Sequence, residues 1–89
     1  MSTHVLKTWP EPFAAIVRGD KTAEFRKDDR GYEVGDTLAL HEWDPTTEAY
    51  SGRIRAVEVT DIRRGGAFGI PDGYAMLSIR GMWAKGGAS

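Results

Sequence analysis

The chain has 89 residues, of which 40% are hydrophobic and 28% are charged, so its composition fits one small globular domain and excludes a disordered one. The formal net charge of -1 argues against a general polyanion binder, and any nucleic-acid binding is expected to be local. Because the sequence holds no cysteine, a disulfide framework, a thiol nucleophile and cysteine-based zinc sites are excluded.

The first predicted elements are a short strand and a short helix. The stretch "HVLKTW" has the spacing of a strand and ends near Trp9, where two prolines follow. Pro10 suits the first turn of a helix, because its missing N–H has no helical partner there. Phe13 and Ile16 belong to an apolar stripe on that helix, and Gly19 can adopt the left-handed conformation that ends it.

A charged cluster is predicted on the second strand. In "TAEFRK" successive residues face opposite sides, so Glu24 and Arg26 project the same way, roughly 7 Å apart at their backbones. Lys21 lies at the mouth of this strand, beside the helix end. The spacing leaves two interpretations open: a recognition or catalytic pocket, or a surface ion-pair strip that contributes little to stability.

The remaining sequence predicts three further strands. In "TLALHEW" the alternation points Leu38, Leu40 and Glu42 to the same inner side. The stretch "RIRAVEVTDI" changes its apolar phase, which predicts a bulge or a barrel strand covered on both faces. "YAMLSI" is the last strand, and residues 81–89 are predicted to be a frayed tail from which Trp83 can dock back. Five strands and one helix give an α+β, mainly β fold, shaped as a small open or closed barrel.

The segment "GDKTAEFRK" resembles the GxKxxExR signature of the ASCH domains, part of the PUA-like superfamily. Its four marked positions are filled by Gly19, Lys21, Glu24 and Arg26. The flanking stretches "LKTWPEPFAAIVRG" and "RGYEVGDTLALHEWDP" are similar to a bacterial and phage subgroup of short, single-domain ASCH proteins, and the similarity covers roughly residues 3 to 80. The resemblance implies a PUA-like β-barrel of five to six strands with one or two short helices, in a domain over residues 1–80.

The resemblance also implies a cleft beside the helix in which Lys21, Glu24 and Arg26 line a pocket for RNA or a nucleobase. Some ASCH proteins are amidohydrolases that remove the acyl group of N4-acetylcytidine with a lysine, a threonine and a glutamate, and others are described as ribonucleases. Lys21 matches that lysine, but Glu24 stands where the threonine would be, which removes the presumed nucleophile. Thr22 faces the same side as Glu24, a full pleat repeat away, and catalysis is sensitive to such displacements.

Other side chains are candidates for ligand contacts. Three aromatic residues can stack on a base or simply cover the core: Trp9, Trp43 and Tyr74. Trp9 adjoins the helix start and is the best placed of them. Lys7 and Glu42 are predicted neighbours of the cleft. Glu42 is expected either to reach the cleft or to pair with Lys7 or Arg26, because a buried carboxylate needs such a partner.

Neither a metal site nor a cofactor is expected. His41 and Glu42 project to opposite sides of their strand, so they do not chelate one ion. The segment "RRGGAFGIPDG" combines glycines with two arginines, but it lacks the lysine and the serine or threonine that end a P-loop. We therefore predict a flexible connection there and a hairpin loop at "DPTTEAYSG".

The leading hypothesis is an ASCH domain that binds RNA or a modified nucleoside through Lys21, Glu24 and Arg26. Three further residues are expected beside them: Lys7, Trp9 and Glu42. One alternative is a hydrolase of the same cleft, an amidohydrolase or a ribonuclease with Lys21 as base and Glu24 as a second catalytic group. Another alternative is a protein-interaction module. No membrane segment is predicted, and the lack of cysteine favours a cytoplasmic setting.

Overall fold

The computed structural model describes residues 1–83. In chain order they form β1 (Thr3–Thr8), α1 (Pro10–Arg18), β2 (Ala23–Lys27), β3 (Thr37–Asp44), β4 (Ala49–Arg64) and β5 (Tyr74–Gly81). The strands make one sheet in the order β1-β3-β4-β5-β2, with β1 parallel to β3 and the other neighbours antiparallel. The sheet curves into a half-barrel accompanied by one short helix, so the prediction of an α+β, mainly β fold is confirmed.

Helix α1 begins and ends where its sequence signals predicted. Trp9 is the N-cap with an extended backbone, and Pro10 occupies the first helical position. At the other end Gly19 has a φ of 89°, a left-handed conformation that glycine adopts without a clash from a Cβ atom. Its N–H donates to the carbonyl oxygen of Ile16 at 3.1 Å. The chain therefore leaves the helix close to the start of β2, which brings the helix end and the charged strand together.

The hydrophobic core lies on the inner face of the sheet. The predicted alternation is confirmed on two strands. It buries Leu38 and Leu40 on β3, and Ala75, Leu77 and Ile79 on β5. Helix α1 adds two buried residues, Phe13 and Ile16. The other buried apolar side chains are Leu6, Tyr32, Val57 and Val59. Because every strand except β2 contributes to this cluster, the helix is fastened to the sheet through a shared core.

Strand β4 is longer and less regular than predicted. It begins at Ala49, inside the predicted hairpin loop, and runs to Arg64, inside the predicted glycine-rich loop. Its pairing with β5 shifts register between Val59 and Asp61, which confirms the predicted bulge. After this shift Ile62 packs against the core. Cross-strand pairing thus extends β4 beyond the local turn signals, because strand formation depends strongly on the neighbouring strands.

The two edge strands, β1 and β2, are joined by side chains. Within residues 1–83 no backbone ladder pairs them, and two arginines, one in β2 and one in the connection after it, donate hydrogen bonds to β1 instead. Arg26 Nη2 donates to the carbonyl oxygen of Lys7 at 3.0 Å, and Arg30 Nη1 donates to that of Val5 at 3.0 Å. Edge carbonyl groups otherwise lack a partner on their free side. These hydrogen bonds therefore give partners to two carbonyl oxygens on the free edge of β1. The gap between β1 and β2 leaves room for a cleft.

Residues 81–83, which belong to the predicted tail, pack against the sheet. Gly81 is the last residue of β5, the N–H of Met82 donates to the carbonyl oxygen of Ala56 at 3.1 Å, and Trp83 packs against the core. A Cβ atom on Gly81 would lie 2.8 Å from the Trp83 ring, so a side chain at this position would displace the ring. The rest of the predicted tail, residues 84–89, lies outside the described residues. No helix within residues 1–83 is long and apolar enough to cross a membrane.

Asp36 ties the N-terminus to the segment that enters β3. Its buried carboxylate accepts hydrogen bonds from the backbone N–H groups of Ser2 at 2.9 Å and Glu33 at 3.0 Å, and from His4 Nε2 at 2.8 Å. The hydrogen bonds from Ser2 and His4 outweigh the opposing effect of burial and lower the pKa of Asp36 to about 2. The ionised carboxylate is therefore the form that stabilises the fold.

Acid unfolding is expected to report on this carboxylate. A carboxyl group whose pKa is lowered by folding adds stability above its unfolded-state pKa of about 4, and this contribution is lost as the pH falls toward 2. The free energy of unfolding of the wild type should therefore fall by on the order of 1–2 kcal/mol more than that of Asp36→Asn over this interval. Urea unfolding at each pH measures the difference, with the exposed Asp72→Asn as control. Parallel profiles for wild type and Asp36→Asn would contradict this assignment.

Candidate functional site

An open cleft lies between the end of β1, the start of α1 and strand β2. Its volume is about 370 Å³, within the range of sites that hold small ligands. The residues around it come from these elements and the connections between them: Lys7, Thr8, Trp9, Pro12, Lys21, Glu24, Phe25 and Arg26. Of the residues predicted for the site, all but Glu42 line this one cleft.

Glu24 is the centre of the charged cluster. Its side chain is 6% exposed, and each carboxylate oxygen accepts a hydrogen bond from a different cation. Lys21 Nζ donates to Oε1 at 2.8 Å, and Arg26 Nε donates to Oε2 at 2.8 Å. Charge-assisted hydrogen bonds of this kind are stronger than neutral ones and offset the cost of burying the carboxylate. The structure thus brings the three charged residues together with two positive charges and one negative charge.

The backbone around the cluster holds both cations in place. The N–H of Lys21 donates to the carbonyl oxygen of Ala15 at 3.1 Å, which fixes Lys21 against the last turn of α1. Lys21 Nζ also donates to the carbonyl oxygen of Ala23. On the other side, the bond from Arg26 to Lys7 anchors the guanidinium to β1. Lysine has three donors and arginine has five, so both retain N–H groups beyond these bonds.

The cleft is therefore rich in hydrogen-bond donors. Both oxygens of Glu24 already accept a hydrogen bond, so the cations offer more to a ligand than the carboxylate does. The first turn of α1 adds few donors, because Pro10 and Pro12 have no N–H group. A ligand with carbonyl or phosphate oxygens fits this arrangement best, since lysine and arginine can only donate.

Exposed aromatic rings surround the charged cluster. Trp9 lines the cleft and is 57% exposed, which leaves ring surface for stacking. Phe25 also lines the cleft, and its ring stacks on Tyr74 with centroids 5.3 Å apart and planes 5° apart. Trp43 lies under Lys7, whose Nζ is 4.1 Å from the ring centroid. Of the three predicted aromatic contacts, Trp9 is the one that reaches the cleft, while Trp43 and Tyr74 support residues that line it.

Glu42 has different partners from those predicted. It is buried on the inner face, but Ser51 Oγ donates to its Oε1 at 2.7 Å, and Arg53 Nη1 lies 3.7 Å from the same oxygen. The predicted pairing with Lys7 or Arg26 is therefore wrong. The physical reason is a register shift between β3 and β4 beside Glu42, which brings the start of β4 over the carboxylate.

Thr8 is a cleft residue that the sequence analysis did not single out. It is buried at 3% exposure, and its hydroxyl has no hydrogen-bond partner among residues 1–83. Buried hydroxyl groups are usually paired, so an orphan of this kind marks a polar spot in the cleft wall. The available signal was its position in β1, because alternation from Leu6 turns this polar residue inward at the strand end.

The other predicted groups lie apart from the cleft. His41 contacts the Tyr50 ring edge-on, and within the described part of the chain no three His, Asp or Glu side chains gather as metal ligands. Arg63 and Arg64 lie in β4 rather than in a loop, and Arg64 donates to Asp28 Oδ2 at 2.8 Å. Thr22 is exposed and is absent from the cleft lining. The chemistry of the cleft thus rests on Lys21, Glu24, Arg26 and their immediate neighbours.

In a comparison with known proteins, one family model spans all the residues that line the cleft. A family model described as "Domain of unknown function (DUF3850)" matches residues 3–79. The chain belongs to this family. It is also similar to "Uncharacterized 12.9 kDa protein in GpA 3'region" of Escherichia phage P2, with 44% identity over 59 residues. These residues make up 66% of this chain and 52% of the phage protein, so the chain spans about half the length of that relative.

The family match includes every residue that lines the cleft, from Lys7 to Arg26. It also includes the helix and almost all of β5, so the family is defined over the half-barrel described above. The descriptions of these matches name neither the ASCH nor the PUA-like domains.

Proposed function

We propose that this domain is an ASCH-type, PUA-like domain that binds RNA or a modified nucleoside in the cleft around Lys21, Glu24 and Arg26. The observation that carries the proposal is the buried Glu24 carboxylate, clamped between two cations at the base of an open cleft. Trp9 and Lys7 extend this site at its rim. The ASCH relationship rests on the "GDKTAEFRK" signature, and the half-barrel is compatible with it.

In this proposal each residue has a distinct role. Lys21 and Arg26 donate to carbonyl oxygens of a base or to phosphate oxygens. Glu24 orients the two cations, because both of its oxygens are already engaged. Trp9 offers a stacking surface, an interaction worth about 1–3 kcal/mol per base where it occurs. Glu24 is thus assigned to positioning rather than to direct reading of a base edge.

The burial of Glu24 supports a binding site over a surface ion-pair strip. Ion pairs elsewhere on the sheet are largely solvent-exposed, as between Arg63 and Asp61 on β4, whose side chains are 54% and 45% exposed. Glu24 is 6% exposed, and its burial carries a desolvation cost that an exposed strip avoids. A pre-organised donor cluster beside an exposed tryptophan is typical of sites that take a planar, oxygen-bearing ligand.

A hydrolase of the same cleft has less support. The hydroxyl nucleophile of the ASCH amidohydrolases is replaced by Glu24, and Lys21 Nζ is already engaged with two acceptors, Ala23 O and Glu24 Oε1. Thr8 lies in the cleft wall, but its hydroxyl has no base within hydrogen-bond reach among residues 1–83. The binding experiment below also detects hydrolysis, so it separates the two functions.

Replacing Lys21 with alanine is expected to weaken ligand binding about tenfold or more, because a hydrogen bond to a charged group contributes roughly 1.5–3 kcal/mol. Amide-resolved NMR titrations with N4-acetylcytidine, cytidine and a short single-stranded RNA measure the affinity. The matched control is Lys27→Ala, which removes an exposed lysine from the last position of β2, the strand that Lys21 precedes. Wild type and Lys27→Ala should show the same shifts, centred on Lys21, Glu24 and Arg26.

Two results would contradict the proposal. One is a folded Lys21→Ala variant with wild-type affinity, and the other is the absence of shifts in the wild type with all three ligands. The latter would direct attention to a protein partner. Release of acetate or of cleaved RNA during the titration would instead favour the hydrolase.

A further inference from the structure

We propose that the protein binds a single RNA strand across Lys21, with consecutive nucleotides in the cleft and in a second pocket that shares this lysine. This inference rests on the proposed function and extends it from one nucleoside to a strand of at least two nucleotides. It assigns a second binding site to a part of the molecule that the leading hypothesis did not use.

The second pocket lies between the last turn of α1 and strands β4 and β5. It has a volume of about 180 Å³, and its apolar lining includes Ile16, Val57 and Ile79. Trp83 forms part of its wall, in the position that the absence of a side chain at Gly81 allows. A small pocket with an apolar floor and an aromatic wall suits a planar base.

Basic side chains, each paired with a carboxylate, lie at the rim of this pocket. Three cations line it: Arg18, Lys21 and Arg80. Arg18 pairs with Asp20 at 2.9 Å, and Arg80 pairs with Glu58 at 2.6 Å, but both arginines are exposed, at 60% and 67%. Exposed ion pairs contribute little to stability, so a phosphate group can readily replace their carboxylate partners. The pocket therefore combines a surface for a base with donors for phosphate oxygens.

Lys21 connects the two sites. It lines both the cleft and the second pocket, and it retains a donor beyond its bonds to Ala23 and Glu24. In an RNA strand with one base beside Trp9 and the next base over the apolar floor of the second pocket, the phosphate that links the two nucleotides lies at Lys21. A free nucleoside fills only the cleft, so the second pocket stays empty and no phosphate reaches the cations at its rim. The local grouping of cations also explains how a chain with a net charge of -1 can bind a polyanion at one place.

The test compares uridine monophosphate with the trinucleotide UUU, which contains the same base and two linking phosphates. We expect UUU to bind at least about tenfold more tightly, because it occupies both sites as one linked ligand. Amide shifts should appear around both pockets with UUU and around the cleft alone with the mononucleotide. The logarithm of the UUU association constant should fall with the logarithm of salt concentration by about 0.7 per phosphate contact.

Arg18→Ala and Arg80→Ala test the second pocket directly. Each should lower the affinity for UUU about threefold or more and reduce the salt slope by about 0.7, while the affinity for the mononucleotide stays unchanged. Arg63→Ala is the matched control, because Arg63 donates to Asp61 at 2.9 Å in the same two-residue arrangement as Arg18 and Asp20. It should leave both affinities as in the wild type.

The outcomes separate this inference from the proposed function. Equal affinities for the two ligands, with shifts confined to the cleft, would overturn the second pocket and keep the nucleoside site. An equal loss of UUU affinity in Arg63→Ala would show unspecific attraction and would also overturn the second pocket. The absence of any shift with either ligand would overturn both proposals.

Discussion

Replacing Glu24 with alanine should destabilise the protein by about 3 kcal/mol, because the change leaves two neighbouring cations without their shared carboxylate. The loss belongs at the lower end of the range for broken buried ion pairs, since Lys21 and Arg26 are 33% and 26% exposed and can regain water. Glu24→Gln keeps the shape and one acceptor, so it should lose less. Urea unfolding of the three proteins measures these differences.

Glu58→Ala is the matched control for this change. Glu58 accepts a hydrogen bond from Arg80 at 2.6 Å on the surface of β4, where an ion pair is worth about 0–1 kcal/mol. If Glu24→Ala cost no more than Glu58→Ala, the cluster would be an ordinary surface strip, and the main support for the binding site would be lost.

The second large effect is expected at Phe13. Its ring is 0% exposed and fills the space between α1 and the sheet, with the Arg53 guanidinium 5.2 Å from the ring centroid. Phe13→Ala removes most of this packing and leaves a cavity, which costs about 3–5 kcal/mol. That is a large share of the roughly 5–10 kcal/mol that holds a small domain together. Trp9 caps the same helix, so the cleft should be disturbed as well.

Thermal and urea unfolding of Phe13→Ala, followed by circular dichroism, measure this loss. Phe13→Leu keeps most of the volume and should cost about 1–2 kcal/mol, which provides a folded variant if the alanine protein unfolds. Phe68→Ala is the exposed control, because this ring is 76% exposed and its removal should change stability by less than about 0.5 kcal/mol. Wild-type stability in Phe13→Ala would show that the helix is held by other contacts.

The sequence predicted the features that depend on local signals. The two-residue period placed Leu38, Leu40 and Glu42 on one inner face, and the proline and glycine signals bounded α1 at Pro10 and Gly19. The same local signals could not predict which strands pair with each other. The parallel pairing of β1 with β3 and the pairing of β2 with β5 join segments that are distant in sequence, and no local pattern specifies them.

The features of the site that the sequence did not predict also depend on contacts between distant segments. The spacing of Glu24 and Arg26 predicted their common face, but the bond from Arg26 to Lys7 spans 19 residues and closes a cleft that no single segment encodes. Glu42 was correctly placed inward, yet a register shift in the neighbouring strand gave it Ser51 as a partner. Tyr32 lies in the connection between β2 and β3, where no periodic pattern marks it, although it is one of the largest buried side chains.

The arginine hydrogen bonds to β1 also bear on which contacts the free edge of the sheet can make. A bare strand edge invites pairing with another chain, and the guanidinium groups of Arg26 and Arg30 occupy the carbonyl oxygens that such pairing would use. Arg26 belongs to the charged cluster as well, so one side chain both holds the Glu24 carboxylate and covers a carbonyl oxygen on the edge of β1. A substitution at Arg26 would therefore change the cluster and open part of this edge at the same time.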